Sequence, residues 1–133
     1  MNQTQVKVSV IIPHHGGFSI LDDCISSLEK SDFKDYETIV VNNNSQDDSI
    51  TKIKIKFPKI KIISLKENLG YAGGCNMGAL ESNGKFILFL NNDTIHEPSW
   101  MQPLVDLMDS DSTIGSIQPK VRNINQNEEF DYA

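Results

Sequence analysis

Four times along the chain an apolar run stops abruptly in a polar loop, and few folds accommodate that repetition. Val6 to Ile12 leads into Pro13-His14-His15-Gly16-Gly17, and Tyr36 to Val41 into Asn42-Asn43-Asn44-Ser45-Gln46-Asp47-Asp48. Ile60 to Leu65 leads into Lys66-Glu67-Asn68-Leu69-Gly70, and the run beginning at Phe86 into Asn91-Asn92-Asp93-Thr94. Short β-branched and aromatic runs of this kind are the pattern of strands buried on both faces. The segments between them fit helices: Ile20 to Lys30 carries Leu21, Cys24, Ile25 and Leu28 at i, i+3, i+4 and i+7, and Ala72 to Ser82 carries Cys75, Met77 and Leu80. Ser49 to Phe57 is ambiguous, because Ile50, Ile53 and Phe57 share a helical face while Lys52-Ile53-Lys54-Ile55-Lys56-Phe57 also alternates as a strand does. A parallel crossover needs a helix there, so helix is the expectation. Strands alternating with helices predict an α/β fold: a Rossmann-like, mostly parallel sheet with flanking helices.

In such sheets ligands bind outside the carboxyl ends of the strands. Asp93, three residues past Leu90, therefore stands where chemistry is usually done. The alternative is that Asn91-Asn92-Asp93-Thr94 is only a turn, since Asn and Asp hydrogen-bond their own backbone.

With 133 residues the chain is expected to form one domain with a real core, and its 38% hydrophobic and 23% charged content is ordinary for a globular protein. The net charge of −6 argues against a nucleic-acid partner, because phosphate backbones are gripped by clustered Lys and Arg. Lys52, Lys54, Lys56, Lys59, Lys61 and Lys66 form a local basic stretch. A solvated face explains most such runs, and peripheral contact with an anionic membrane is the other reading. Neither a membrane span nor a signal-peptide layout is visible, so the expected location is the cytoplasm, with the inner membrane face as a variant. Cys24 and Cys75 lack metal-ligand spacing and fall in predicted helices, which predicts free, buried thiols.

The four motifs, VSVIIPHHGG, ETIVVNNNSQDDS, ENLGYAGGCNMG and FILFLNNDTIHEPSW, occur in an order that resembles the nucleotide-sugar-binding half of family 2 inverting glycosyltransferases of the GT-A fold, particularly the rhamnosyltransferase-like members. The resemblance covers nearly the whole chain. It implies that Pro13, His14, His15, Asn42 and Asn43 hold the base and ribose, and that Asn68, Gly70, Gly73 and Asn76 line the nucleotide and diphosphate. It further implies that Asn91-Asn92-Asp93 corresponds to the metal-binding Asp-x-Asp, with Asp93 and Asn91 as ligands of Mn²⁺ or Mg²⁺. The residue types suit those roles. A departing diphosphate needs a hard cation held by one or two carboxylates. Amides can match both the carbonyls and the imide N–H of uracil or thymine. Glycines at 70, 73 and 74 let backbone approach a phosphate.

The departures from the family pattern are informative. Asn42 and Asn91 replace the Asp of many relatives, and an amide is a weaker ligand for a hard cation. A His pair follows Pro13. Two readings of it stay open, exposed loop residues or, for His15, an aromatic surface against the base. Joint metal coordination is disfavoured, since neighbours in an extended segment point oppositely. Cys75 stands where relatives often carry Arg or Asn.

The resemblance also implies that the general base, an Asp, comes from an acceptor-binding half beyond residue 133. Residues 1–133 are thus expected to be the donor-binding part, truncated before that half and inactive alone. The expected partners are a UDP- or dTDP-linked sugar and a saccharide or lipid-linked acceptor. A dinucleotide-binding dehydrogenase is disfavoured because Pro13-His14-His15-Gly16-Gly17-Phe18 is not Gly-x-Gly-x-x-Gly. A sugar-nucleotide pyrophosphorylase is disfavoured by the lack of basic residues between Ile12 and Asp22. A non-catalytic binding module stays open.

Overall fold

The computed structural model describes residues 5–130, with side chains for 5–125. Strand β1 (Val8–His14) is followed by helix α1 (Phe18–Leu28), β2 (Tyr36–Asn42), α2 (Ser49–Lys56), β3 (Lys61–Ser64), α3 (Gly70–Leu80), β4 (Phe86–Phe89) and α4 (Met101–Ser110). The first four strands form one parallel sheet in the order β3-β2-β1-β4. Val8 pairs with Tyr36 on one side and Phe86 on the other, and His14 pairs with Asn42. The chain winds outward from β1 to β3 and then returns to add β4 on the other flank of β1. Strand order thus reverses between β1 and β4, and the crevice at their carboxyl ends is where an open sheet takes ligands.

Alternation along β1 divides the interior into two layers. Val8, Val10 and Ile12 pack with Leu21, Cys24, Ile25 and Leu28 of α1, Ile53 of α2, and Met101 and Val105 of α4. Ile11 faces the opposite way, with Ile39, Val41, Met77 and Ala79. Helix α3 approaches this second face closely: a Cβ on Gly78 would lie 2.3 Å from Ile11 Cγ2, and one on Gly74 2.9 Å from Asn43 Nδ2. Lys7 and Lys85 both hold Asp109, at 2.7 and 2.8 Å, which ties α4 to the start of the sheet.

The ambiguous segment is helical. A strand would bury Ile53, Ile55 and Phe57 on one face, whereas the helix buries Ile53 and leaves Ile55 77% exposed. Both cysteines are free and buried, in α1 and α3.

One expectation needs correction. Strand β4 is not buried on both faces: it pairs only with β1 among the described residues, and Ile87 and Phe89 are 44% and 50% exposed. Phe86 and Leu88 alone reach the first core layer. Beyond α4, β5 (Arg122–Asn123) and β6 (Gln126–Phe130) form an antiparallel pair. The basic stretch is partly neutralised, with Lys52 on Asp48, Lys56 on Asp22 and Lys61 on Glu81. No helix among the described residues is long and apolar enough to cross a membrane.

Candidate functional site

At the carboxyl edge of the sheet the backbone itself draws the candidate loops together. The Asn43 N–H donates to the His14 carbonyl at 2.8 Å, and the Leu65 N–H to the Asn42 carbonyl at 2.9 Å. Leu90 N–H donates to the Ile11 carbonyl at 2.9 Å, which sets the start of the Asn91–Thr94 loop beside β1.

Side-chain placement separates the predicted ligand residues into supports and exposed groups. His14 is 1% exposed, and both ring nitrogens are engaged, Nε2 with Ser49 Oγ and Nδ1 with Asn92 Nδ2, each at 3.0 Å. Burial pushes its pKa down, against the pull of Asp47. Asn43 is 4% exposed; its amide donates to the Gly70 carbonyl at 2.9 Å and its oxygen accepts the Leu69 N–H at 3.2 Å. Each polar atom of these two side chains already has a protein partner, which makes them supports of the loops expected to hold the base and ribose. Pro13 is likewise buried, beneath Gly74. Asn92, half-buried, is committed to His14.

The exposed set is His15, Asn68, Asn76, Asn91 and Asp93, with Asn42 half-buried. His15 Nδ1–H donates to the Asn43 carbonyl at 2.8 Å, which fixes the tautomer and leaves Nε2 an acceptor without a protein partner. Asn42 accepts the Ser45 N–H at 2.8 Å, and its amide reaches Ser64 Oγ only at 3.4 Å. Asn68 accepts the Gly70 N–H at 2.8 Å, closing a turn in which Gly70 takes φ 71°, a left-handed value that glycine adopts without strain. Helix α3 starts there without a side-chain cap. The Gly70 N–H is taken by Asn68, and the amides that follow it, those of Tyr71 and Ala72, carry no side-chain cap, as anion binding requires. Gly73 is half-buried in its first turn, and a Cβ there would lie 2.5 Å from Leu69 Cβ.

The loop carrying Asp93 is pinned from below. Thr94 Oγ1 donates to the Asn91 carbonyl at 2.9 Å, the Cys24 thiol reaches the same carbonyl at 3.5 Å, and His96 bonds Thr94 and Ser27, both at 2.9 Å. The His96 ring stacks on Trp100 at 4.8 Å. Asp93 itself is exposed and makes no hydrogen bond or ion pair among the described residues. An anchored loop thus presents one uncommitted carboxylate beside the exposed Asn91 amide. No group of three or more His, Cys, Asp or Glu could enclose a metal among the described residues. A single carboxylate with a neighbouring amide suits a Mg²⁺-like cation that draws its remaining ligands from substrate phosphates and water.

Burial of His96 drives its pKa down to about 4, against roughly 6.5 in an unfolded chain. Within that window the unfolded chain binds the extra proton, so stability falls as pH drops from about 6.5 toward 4 and is retained above it. Thermal unfolding followed across this range is expected to show the decline, and His96→Gln to flatten it. An equal slope in the variant would remove His96 as its source.

Ser49, Asp47 and His96 were not anticipated as site supports. Asp48, at the start of α2, makes no cap bond, whereas Asp47 accepts from Ser49 and Gly17, which holds its carboxyl down at about 2. One signal was available: His14 continues the parity of Val8, Val10 and Ile12, which buries it.

The Glycosyl transferase family 2 model matches residues 9–131. A Campylobacter jejuni protein described as a GalNAc(5)-diNAcBac-PP-undecaprenol β-1,3-glucosyltransferase is 35% identical over 92 residues, 65% of this chain and 29% of the relative. The chain spans about a third of the length of such curated relatives. Among solved structures, Staphylococcus aureus TarS 1–349 in complex with UDP is similar with a TM-score of 0.72 at 22% identity, over 90% of this chain and 43% of that one. The mannosyltransferase PcManGT from Pyrobaculum calidifontis, in complex with GDP-Man and Mn²⁺, reaches 0.77 at 17% identity, over 90% of this chain and 36% of that one. At these identities both show the fold alone.

Proposed function

The chain belongs to glycosyl transferase family 2, and from that membership we propose that residues 1–133 supply the donor-binding part of an inverting glycosyltransferase that takes a pyrimidine nucleoside-diphosphate sugar. The observation that carries this reading is Asp93: an exposed carboxylate, unpaired among the described residues, on an anchored loop at the point where strand order reverses. Asp93, with Asn91 beside it, would hold Mn²⁺ or Mg²⁺, which supplies charge neutralisation to the leaving diphosphate. The uncapped amides at the start of α3 offer a second group of donors for the phosphates.

Base choice is assigned to His15, whose Nε2 has no partner among the described residues, and to Asn42, whose amide makes only the long 3.4 Å bond to Ser64 Oγ. In a neutral His15 ring, with the proton on Nδ1, Nε2 can accept the imide N–H of uracil or thymine. Cytosine presents an acceptor at that position and would leave both groups unpaired. TarS, whose structure holds UDP, supports a uridine carrier for this fold, while PcManGT with GDP-Man shows that the fold also hosts a purine.

The acceptor is proposed to be a saccharide or lipid-linked glycan, as the Campylobacter relative's description suggests, with the work done on the cytoplasmic face of the membrane. Inversion by a single displacement needs a base within about 3 Å of the acceptor hydroxyl. Asp47 is committed to Ser49 and Gly17, and Asp93 is assigned to the cation. The base is therefore assigned to another part of a longer polypeptide, in keeping with relatives of which the match covers only about a third.

Calorimetric titration of the chain with UDP, dTDP, CDP and GDP, with and without Mn²⁺, tests the reading. UDP or dTDP is expected to bind at least roughly tenfold more tightly than CDP or GDP, a gap of about 1.4 kcal/mol, and to need the metal. Equal affinity for every base would place the base pocket elsewhere. Absence of binding by all four would favour a non-catalytic module.

A further inference from the structure

We propose that the hydrogen-bonded chain Asn92–His14–Ser49–Asp47, buried at His14 and Ser49, makes the loop after β2 and the carboxylate loop after β4 one coupled unit, with His14 the positioning residue between them. The proton order follows from the ends. An ionised Asp47 can only accept, so Ser49 Oγ–H donates to its Oδ1. The Ser49 oxygen is then free to accept from His14 Nε2–H at 3.0 Å. That leaves His14 Nδ1 unprotonated, an acceptor for the Asn92 amide at 3.0 Å. Every donor points toward the Asp47 charge, the arrangement in which hydrogen bonds polarise and strengthen one another.

The two histidines hold opposite tautomers, each set by its partner: Nε2–H in His14 and Nδ1–H in His15. One faces inward as a strut and the other outward. The order of groups also excludes a hydrolase triad. The carboxylate sits on the serine rather than on the imidazole, and Ser49 is fully buried, so no nucleophile is presented.

The chain reaches three loops. Asp47 Oδ2 accepts the Gly17 N–H at 2.7 Å, which joins the entrance of α1, and its Oδ1 accepts the Ser49 N–H at 3.1 Å. Asn92 precedes Asp93. A displacement of the loop after β2 is thereby transmitted to the carboxylate through the His14 ring and the Ser49 hydroxyl, which have no other polar partner among the described residues. Linkage is reciprocal: whatever orders one loop orders the other to the same degree. If the loop after β2 meets a nucleoside and Asp93 a cation, which rests on the function proposed above, each ligand favours the other.

Ser49→Ala tests the coupling, since Ser49 touches no residue of the β4 loop yet links it to Asp47. In ligand-free protein, two-dimensional NMR is expected to show the Asn92 side-chain amide and the Asp93 backbone amide displaced, with Ser49→Thr restoring them. A serine that served only to seat α2 would move α2 resonances and leave these in place, and that result overturns the proposal. Asn92→Ala supplies the reciprocal measurement from the less buried end, with displacement expected at Gly17 and Ser49 and stillness there again overturning it. With UDP as the probe, Ser49→Ala is expected to reduce the Mn²⁺ enhancement of affinity by roughly fivefold or more. If the amides move but the parent protein binds no UDP, the coupling stands and the proposed function fails.

Discussion

Replacing Asp93 with alanine is expected to abolish the metal-dependent part of nucleotide binding while leaving the fold almost unchanged. The loss follows from the composition of the site: Asn91 is an amide, no acidic cluster that could hold a metal stands among the described residues, and Asp93 is the carboxylate that the β4 loop offers. Removing groups that merely orient a metal ligand costs 10–100-fold in affinity, so loss of the carboxylate itself is expected to cost at least about 100-fold. Stability should shift by no more than about 0.5 kcal/mol, because Asp93 is exposed and makes no bond that its removal would orphan. Calorimetric titration of UDP at several Mn²⁺ concentrations, paired with urea denaturation, separates the two effects. Unchanged manganese dependence in Asp93→Ala would show that the cation is held elsewhere.

Gly78→Val is expected to do the reverse, destabilising the domain before it touches binding chemistry. A side chain there enters the space of Ile11 Cγ2, 2.3 Å from the Cβ position, and Val41 Cγ2 at 3.1 Å. Both neighbours belong to strands paired along their length, so the collision cannot be relieved by rotating a surface group. Overpacking of this kind typically costs about 1–3 kcal/mol, and a rigid sheet beneath α3 argues for the upper part of that range. Gly78→Ala should cost less, because replacing a mid-helix glycine returns about 1 kcal/mol of helix propensity. Gly74, one turn earlier on the same face, meets Pro13 and Asn43. Displacing α3 would therefore loosen the bonds by which Asn43 holds Leu69 and Gly70, and nucleotide affinity should fall as a consequence of packing. A Gly78→Val variant with the parental urea midpoint would contradict the close approach.

Glycine shows how residue type and role come apart between sequence and structure. The Gly-rich segment was read as clearance for a phosphate, yet Gly74 and Gly78 give clearance to the sheet, and Gly70 supplies a left-handed turn. Nothing in a single sequence distinguishes these uses, since all three exploit the missing Cβ.

What the amino-acid sequence determined by itself was the alternation of elements, the parallel sheet and the edge at which chemistry gathers. Periods of 2 and 3.6 are local properties of the chain, and a parallel sheet presents the loops after its strands along one edge. The ambiguous α2 was legible only through connectivity, because its alternating lysines satisfy both periods and the crossover decides between them. Family membership was legible as well, because four short motifs had to recur in one order.

Only the tertiary structure decided which polar residues face a ligand and which hold the others in place. Asn42 and Asn43 are identical neighbours, yet one is half-exposed and the other is spent on the start of α3. His14 and His15 divide in the same way. That division depends on Ser49, Asn92 and Gly70 arriving from 27 to 78 residues away along the chain. Hydrogen-bond satisfaction of a buried polar group is a long-range condition, met by partners that no local pattern identifies.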